Sequence, residues 1–166
     1  IYVDAVRGAT KYLLGNDAQA EVTSSNYVSS LDSDGFTLGS DPGVNRGSMV
    51  AWNWLAGGSA SSNSNGSITS SVSVNTTAGF SIVSYTGNNT NDASIGHGLG
   101  VAPNWVIVKN RDYTGADWQI GADAIGWTKY LEFNTVNAAA TDNKFYDAAP
   151  TSTVFATAAD RAMNSN

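Results

Sequence analysis

The chain holds one histidine, two glutamates and no cysteine, so few side chains are candidates for chemistry. His97 lies between Gly96 and Gly98. A general base needs a carboxylate or hydroxyl within hydrogen-bond reach. Asp92 is the nearest acid in sequence, and it sits on the loop running from Gly87. The stretch Gly96-His-Gly-Leu-Gly-Val-Ala-Pro103 reads more simply as a tight approach to the next strand, with His97 bonded to backbone. The many serines leave a Ser-His-Asp triad open, but no Gly-x-Ser-x-Gly elbow supports one. Glycoside hydrolysis needs two opposed carboxylates. Glu21 and Glu132 instead sit at matching edges of two similar segments, where solvated roles are expected. Asp32-Ser-Asp34-Gly35 matches the first half of a calcium loop, but position 43, where the closing Glu belongs, is Gly. A turn capped by aspartates is the simpler reading, with Asp32 and Asp34 kept as candidate Ca2+ ligands and no other cofactor expected. Gly96–Gly100 is followed by no Lys-Ser or Lys-Thr, so it is not a phosphate loop.

Five tryptophans are many for 166 residues. Indole faces stack on sugar C–H faces, which makes exposed ones candidates for glycan binding. Trp52 and Trp54 share one face of a strand and are expected between sheets. Trp105 opens a strand expected to be central. Core packing is the simpler reading for each tryptophan; Trp118, with Asp117 and Gln119 beside it, and Trp127, beside Gly126, are the candidate glycan-binding residues to test for exposure.

The elements that must place these residues are strands. Charged residues make up 13 % of the chain, about half the usual share, so solubility rests on Ser, Thr, Asn and Gly. A net charge of −6 argues against nucleic-acid binding, which needs clustered Lys and Arg. Without cysteine there is no disulfide and no thiolate metal site. No apolar run has the length of a membrane span, so no membrane insertion is expected. Period-2 alternation recurs at Val50–Trp54, Ile68–Val74 and Phe80–Tyr85. Trp105-Val-Ile-Val-Lys109 is apolar on both faces and is expected at the centre of a sheet. Asp34-Gly35 and Asn65-Gly66 mark turns. Helix candidates are limited to Ala156–Met163 and Asn16–Val22. The expected fold is all-β, an antiparallel β-sandwich or jelly roll with an internal repeat and little helix.

The repeat is explicit. Gly8-Ala-Thr-Lys11-Tyr12-Leu13 returns as Gly126-Trp-Thr-Lys129-Tyr130-Leu131, 118 residues on. Asn16, Ala20, Thr23 and Tyr27 have counterparts in Asn134, Ala138, Thr141 and Phe145. Phe36-Thr-Leu38 falls near Val154-Phe-Ala156. Self-similarity of this kind marks a tandem architecture. The expected organisation is residues 1–56 as the end of one unit, 57–66 as a Gly/Ser/Asn-rich linker or long loop, and 67–166 as the start of the next. The two parts are expected either to form one joint sandwich or to pair open edges with neighbouring chains. Beginning on Ile1 and ending in the echo, the chain reads as a processed polypeptide or a fragment of a longer protein.

Asn75–Asn88, Ile95–Pro103 and Trp105–Arg111, with Asp32–Gly39 and Val50–Trp54 upstream, resemble an uncharacterised β-rich domain of phage tail and fibre proteins, notably marine ones. Asn53 departs from the family's Val-Ala-Trp-x-Trp stretch. The resemblance implies a virion or extracellular structural role, often beside lectin-like domains. It supplies no catalytic residue. The expected function is a virion structural protein assembled in multiple copies, not an enzyme, with itself or other virion proteins as partners. The alternative is a glycan-binding adhesin module that contacts a host surface. A hydrolytic tail enzyme ranks last.

Overall fold

The computed structural model describes residues 1–165, leaving Asn166, the last residue of the echo, outside the described residues. The chain is all-β, with no helix among the described residues. Its strands are β1 (Lys11–Tyr12), β2 (Val22–Thr23), β3 (Val28–Leu31), β4 (Phe36–Leu38), β5 (Ser61–Asn63), β6 (Ser70–Asn75) and β7 (Phe80–Tyr85). They continue as β8 (Ala93–Gly96), β9 (Trp105–Val108), β10 (Gln119–Ala122), β11 (Lys129–Glu132), β12 (Ala140–Thr141) and β13 (Val154–Thr157). They form five small antiparallel sheets, ordered β1-β2, β3-β4, β5-β6-β7, β13-β8 and β12-β11-β10-β9.

The β6–β7 hairpin shows how the sequence enforces this. Alternation brings Val72 opposite Val83 and Asn75 opposite Phe80. The turn needs a residue with positive φ, which Gly79 supplies at 66°. The Asn75 side chain accepts the Ala78 N–H at 3.0 Å, closing the turn. The hydroxyl face of β6 is covered at one end only, with Ser71 left exposed. Ser73 is buried and donates to the Gly58 carbonyl at 2.7 Å. The Gly-rich segment 57–66 therefore lies against the sheet, and it contributes β5 as an edge strand.

The main core gathers Ile68, Ala93, Ile95, Val108, Trp127, Phe145, Phe155 and Met163, with Tyr85 and Tyr130 packed against it. These side chains come from the loop before β6, from β8, β9 and β13, from turns between strands and from the turn after β13. Phe145 meets Trp127 edge-on at 5.6 Å. Gly121 lies directly beneath both rings.

Several expectations change. Trp105–Val108 is an edge strand, bonded to β10 alone, and Trp105 is 57 % exposed. Its second apolar face is left uncovered, so a run of apolar residues did not mean a central strand. Ala156 and Thr157 belong to β13, and the residues after them turn around Asp160, so no helix forms at Ala156–Met163. Asn16–Val22 is a turn and an irregular stretch leading into β2.

The two similar segments pair alike. β1 meets β2 with Lys11 opposite Thr23, and β11 meets β12 with Lys129 opposite Thr141. Each hairpin is entered through a glycine of positive φ, Gly8 at 104° and Gly126 at 75°. The Lys11 and Lys129 amides both return to those glycine carbonyls at 3.1 Å. Further on, the correspondence lengthens by one residue. Asp41 and Asp160 build the same turn: the carboxylate accepts the amide two residues on (Gly43, Ala162), and the carbonyl accepts those three and four residues on (Val44 and Asn45, Met163 and Asn164).

The leading part of the chain packs on the rest. Tyr2 lies 5.1 Å from the Trp118 ring and 6.0 Å from Phe133. The Glu21 amide donates to the Arg111 carbonyl at 2.7 Å, and the Gly115 amide to that of Ala18 at 2.9 Å. The Glu21 side chain is only 11 % exposed and meets both Arg7 and Arg111 at 3.0 Å. The solvated role expected for it is thus overturned: its partners come from segments that sequence proximity does not reveal. Glu132 accepts hydrogen bonds from Thr135 and Asn137.

Candidate interaction surface

The two indoles picked as sugar platforms are buried. Trp118 is 7 % exposed and Trp127 8 %. The Trp118 N–H donates to the Leu14 carbonyl at 2.7 Å, and that of Trp127 to the Asp123 carboxylate at 2.6 Å. Gln119 is buried too, its Nε2 donating to the Asp117 carbonyl at 3.2 Å and its Oε1 unpartnered. The Asp117 carboxylate accepts the Asn134 amide at 2.7 Å. The structure does not bring the four together: Trp118 packs against Tyr2 and Phe133, whereas Trp127 packs against Phe145 in the main core. Indole N–H groups need partners when buried, and backbone supplies one of them here.

Asp32 and Asp34 lie in the exposed β3–β4 turn. Asp32 accepts the Thr37 hydroxyl at 2.9 Å, and its amide donates to the Gly35 carbonyl. No group of three or more His, Cys, Asp or Glu gathers as metal ligands among the described residues. His97 is 2 % exposed. Its Nδ1 accepts the Leu99 amide at 3.2 Å, which leaves Nε2 to donate to the Thr151 carbonyl at 3.2 Å. Both ring nitrogens therefore serve backbone, as the glycine-flanked sequence implied. Burial pushes the imidazole's pKa down, partly offset by the Thr151 bond.

The exposed aromatics lie elsewhere. Met49, Val50, Trp52, Trp54 and Leu55 are 57 %, 80 %, 77 %, 59 % and 81 % exposed. Trp52 and Trp54 were expected between sheets. The alternation that suggested this is present, but no second layer covers the face. The segment joins no ladder, so most of its backbone donors and acceptors are open. Its end is pinned. The Asn75 amide donates to the Leu55 carbonyl at 3.1 Å, and Gly57 sits against the Val74 backbone where no side chain fits. Trp54 stacks on Phe80 at 6.1 Å with planes 23° apart, and Trp52 meets Trp54 edge-on at 6.4 Å. No charged residue occurs between Arg46 and Asp92. That neutrality, with a Gly/Ser/Asn stretch directly after, was the sequence signal for an uncovered strip.

Over residues 1–166 the chain matches the model of a family described as a domain of unknown function, DUF7483. The chain belongs to the DUF7483 family. No curated protein and no solved structure matches it. In this DUF7483 chain the strip carries five large apolar side chains that are more than half exposed. No described helix is long and apolar enough to cross a membrane.

Proposed function

We propose that this chain is a building block of a virion, a tail, fibre or capsid-surface component that assembles in multiple copies. The observation that carries the assembly reading is the strip Met49–Leu55. It combines large exposed side chains with a backbone that no ladder satisfies. Contiguous apolar exposure marks an interaction site, and an unpaired strand is a template for strand addition. The shared register of the two hairpins supports an architecture of repeated units. The virion setting rests on the resemblance of Asn75–Asn88 and Trp105–Arg111 to phage tail and fibre domains.

Mass photometry of the purified chain tests assembly. Wild type is expected as a multimer that the Trp52→Ser/Trp54→Ser pair converts to monomer with an unchanged circular-dichroism spectrum. A wild-type chain that stays monomeric at high concentration overturns the reading. Finding the chain by mass spectrometry in purified particles tests the setting.

The second reading, a glycan-binding adhesin, gains from one observation. Trp52 and Trp54 present exposed rings, with Phe80 stacked behind Trp54 as a rigid backing. Glycan-array binding lost in Trp52→Ala, with the multimer intact, favours that reading over assembly through the strip.

A further inference from the structure

The open edge of β4 has a counterpart elsewhere in the chain, and that counterpart is occupied. Beyond the hairpins, the two similar segments correspond at a spacing of 119. Phe36, Asp41 and Asn45 match Phe155, Asp160 and Asn164. The Asp32 amide donates to the Gly35 carbonyl as the Thr151 amide does to that of Val154. β4 therefore stands where β13 stands.

β13 is covered on one edge by β8, with Phe155 opposite Ile95 and Ala156 opposite Ser94. The turn after it clasps the chain that leads into β8. Asn164, fully buried, accepts the Asn88 amide at 2.7 Å and donates to the Thr90 carbonyl at 2.7 Å. Its carbonyl accepts the Asn89 amide at 3.0 Å.

β4 pairs with β3 alone. Gly35 and Gly39 bond toward the β3 side, through Asp32 and Tyr27. Alternation of an antiparallel backbone then turns the amides and carbonyls of Phe36 and Leu38 to the other edge. No strand lies there among the described residues. The residues that a neighbour covers in the echo are open here. Asn45 is exposed, its amide on the Gly39 carbonyl at 2.7 Å, whereas Asn164 is buried. Phe36 is half-buried, whereas Phe155 is 4 % exposed.

We propose that β4 and the Asp41–Asn45 turn form an acceptor site for an extended strand equivalent to Asn88–Gly96, supplied by another unit of the same kind. The incoming strand runs antiparallel to β4, with an aliphatic residue opposite Phe36 and a serine-sized residue opposite Thr37. Asn45 turns to clasp its Asn-x-Thr entry. Specificity comes from a template this chain already contains. Met49, at the start of the strip, shares a hollow with Leu38 and Asn45, but Trp52 and Trp54 do not line it, so the peptide test and the tryptophan oligomer test can fail independently.

The probe is a fluorescein-labelled peptide of residues 87–97 added to the whole chain. Saturable binding is expected, with exchange of the Phe36 and Leu38 amides slowed about tenfold or more. Asn45→Asp is expected to weaken binding about tenfold, since it removes a donor and adds charge. The chain lacks cysteine, so a designed disulfide reports register cleanly. Thr37→Cys is expected to link to a peptide carrying Ser94→Cys, and the Ser29→Cys control on β3 is not. The proposal is overturned by a peptide that leaves the Phe36 and Leu38 amides unprotected and Thr37→Cys unlinked. It is equally overturned if the disulfide forms only with Ala156→Cys, which would show the peptide displacing β8 from its own partner.

Discussion

Arg111 closes a fork on Glu21 across 90 residues of chain, with Nε and Nη2 each 3.0 Å from one carboxylate oxygen. Arg7 adds a third bond at 3.0 Å, and Asp4 holds Arg7 in turn. The geometry is that of a bidentate guanidinium–carboxylate pair, which ties position as well as charge. It fastens the leading segment to the loop after β9. Glu21→Gln is therefore expected to cost about 2–3 kcal/mol, because it leaves two guanidinium groups short of a charge they are built around. Urea unfolding measures this. A loss within error of zero would show that the fork does not hold the two parts together.

Acid is expected to loosen the fold in two steps. Burial raises the Glu21 pKa, but hydrogen bonds from Arg111 and Arg7, with their charge, more than offset it and leave the carboxyl below its ordinary range. A depressed carboxyl contributes stability above its unfolded value, near pH 4.5, that is lost as pH falls through the folded value. His97, lowered by burial, acts earlier. The unfolded chain binds its proton near pH 6.5 and the folded chain resists, so stability declines once pH drops below that value. Melting temperatures between pH 8 and 5, about the ordinary histidine range, should fall in wild type and stay flatter in His97→Gln. Parallel profiles would remove His97 from the account.

Gly121 has no room for a side chain. A Cβ there would stand 2.5 Å from the Trp127 ring and 2.8 Å from Phe145. Gly121→Ala is expected to cost about 1–3 kcal/mol by forcing these rings apart. Thermal unfolding with near-ultraviolet circular dichroism reads both the loss and the disturbed indole. Neutral behaviour would mean that the core yields more readily than its packing implies.

Tryptophans should divide sharply by position. Trp52→Ser and Trp54→Ser are expected to change monomer stability by no more than about 0.5 kcal/mol, since both side chains are largely in solvent. Trp118→Ala should cost about 3–5 kcal/mol, through the cavity and the orphaned Leu14 carbonyl. Chemical denaturation of the three variants at low concentration checks the contrast. Equal losses would contradict the burial pattern.

The strand class and several turns were legible because they are local. Asp34-Gly35 falls in the β3–β4 turn and Asn65-Gly66 between β5 and β6, and the Gly8 and Gly126 hairpins announce each other. What escaped depended on distant segments. Glu21 looked solvated because Arg111 lies far along the chain. Trp105-Val-Ile-Val108 looked central because composition shows that faces are apolar, not whether anything covers them. Trp52 and Trp54 failed for the same reason. For Trp118 and Trp127 the core reading holds and the glycan role does not, but the Leu14 carbonyl and the Gly121 gap that receive them are tertiary facts. His97 was read correctly because its glycine neighbours already restricted it to backbone partners.

The charge-free run from Gly47 to Asn91 gives any association made through the Met49–Leu55 strip an unusual response to its surroundings. Contacts without ions carry no Coulomb attraction for salt to screen. Salt should therefore not weaken them, and concentrated salt, by favouring burial of apolar surface, should strengthen them. Apolar contact weakens on cooling, so chill would loosen such an assembly where added salt would not.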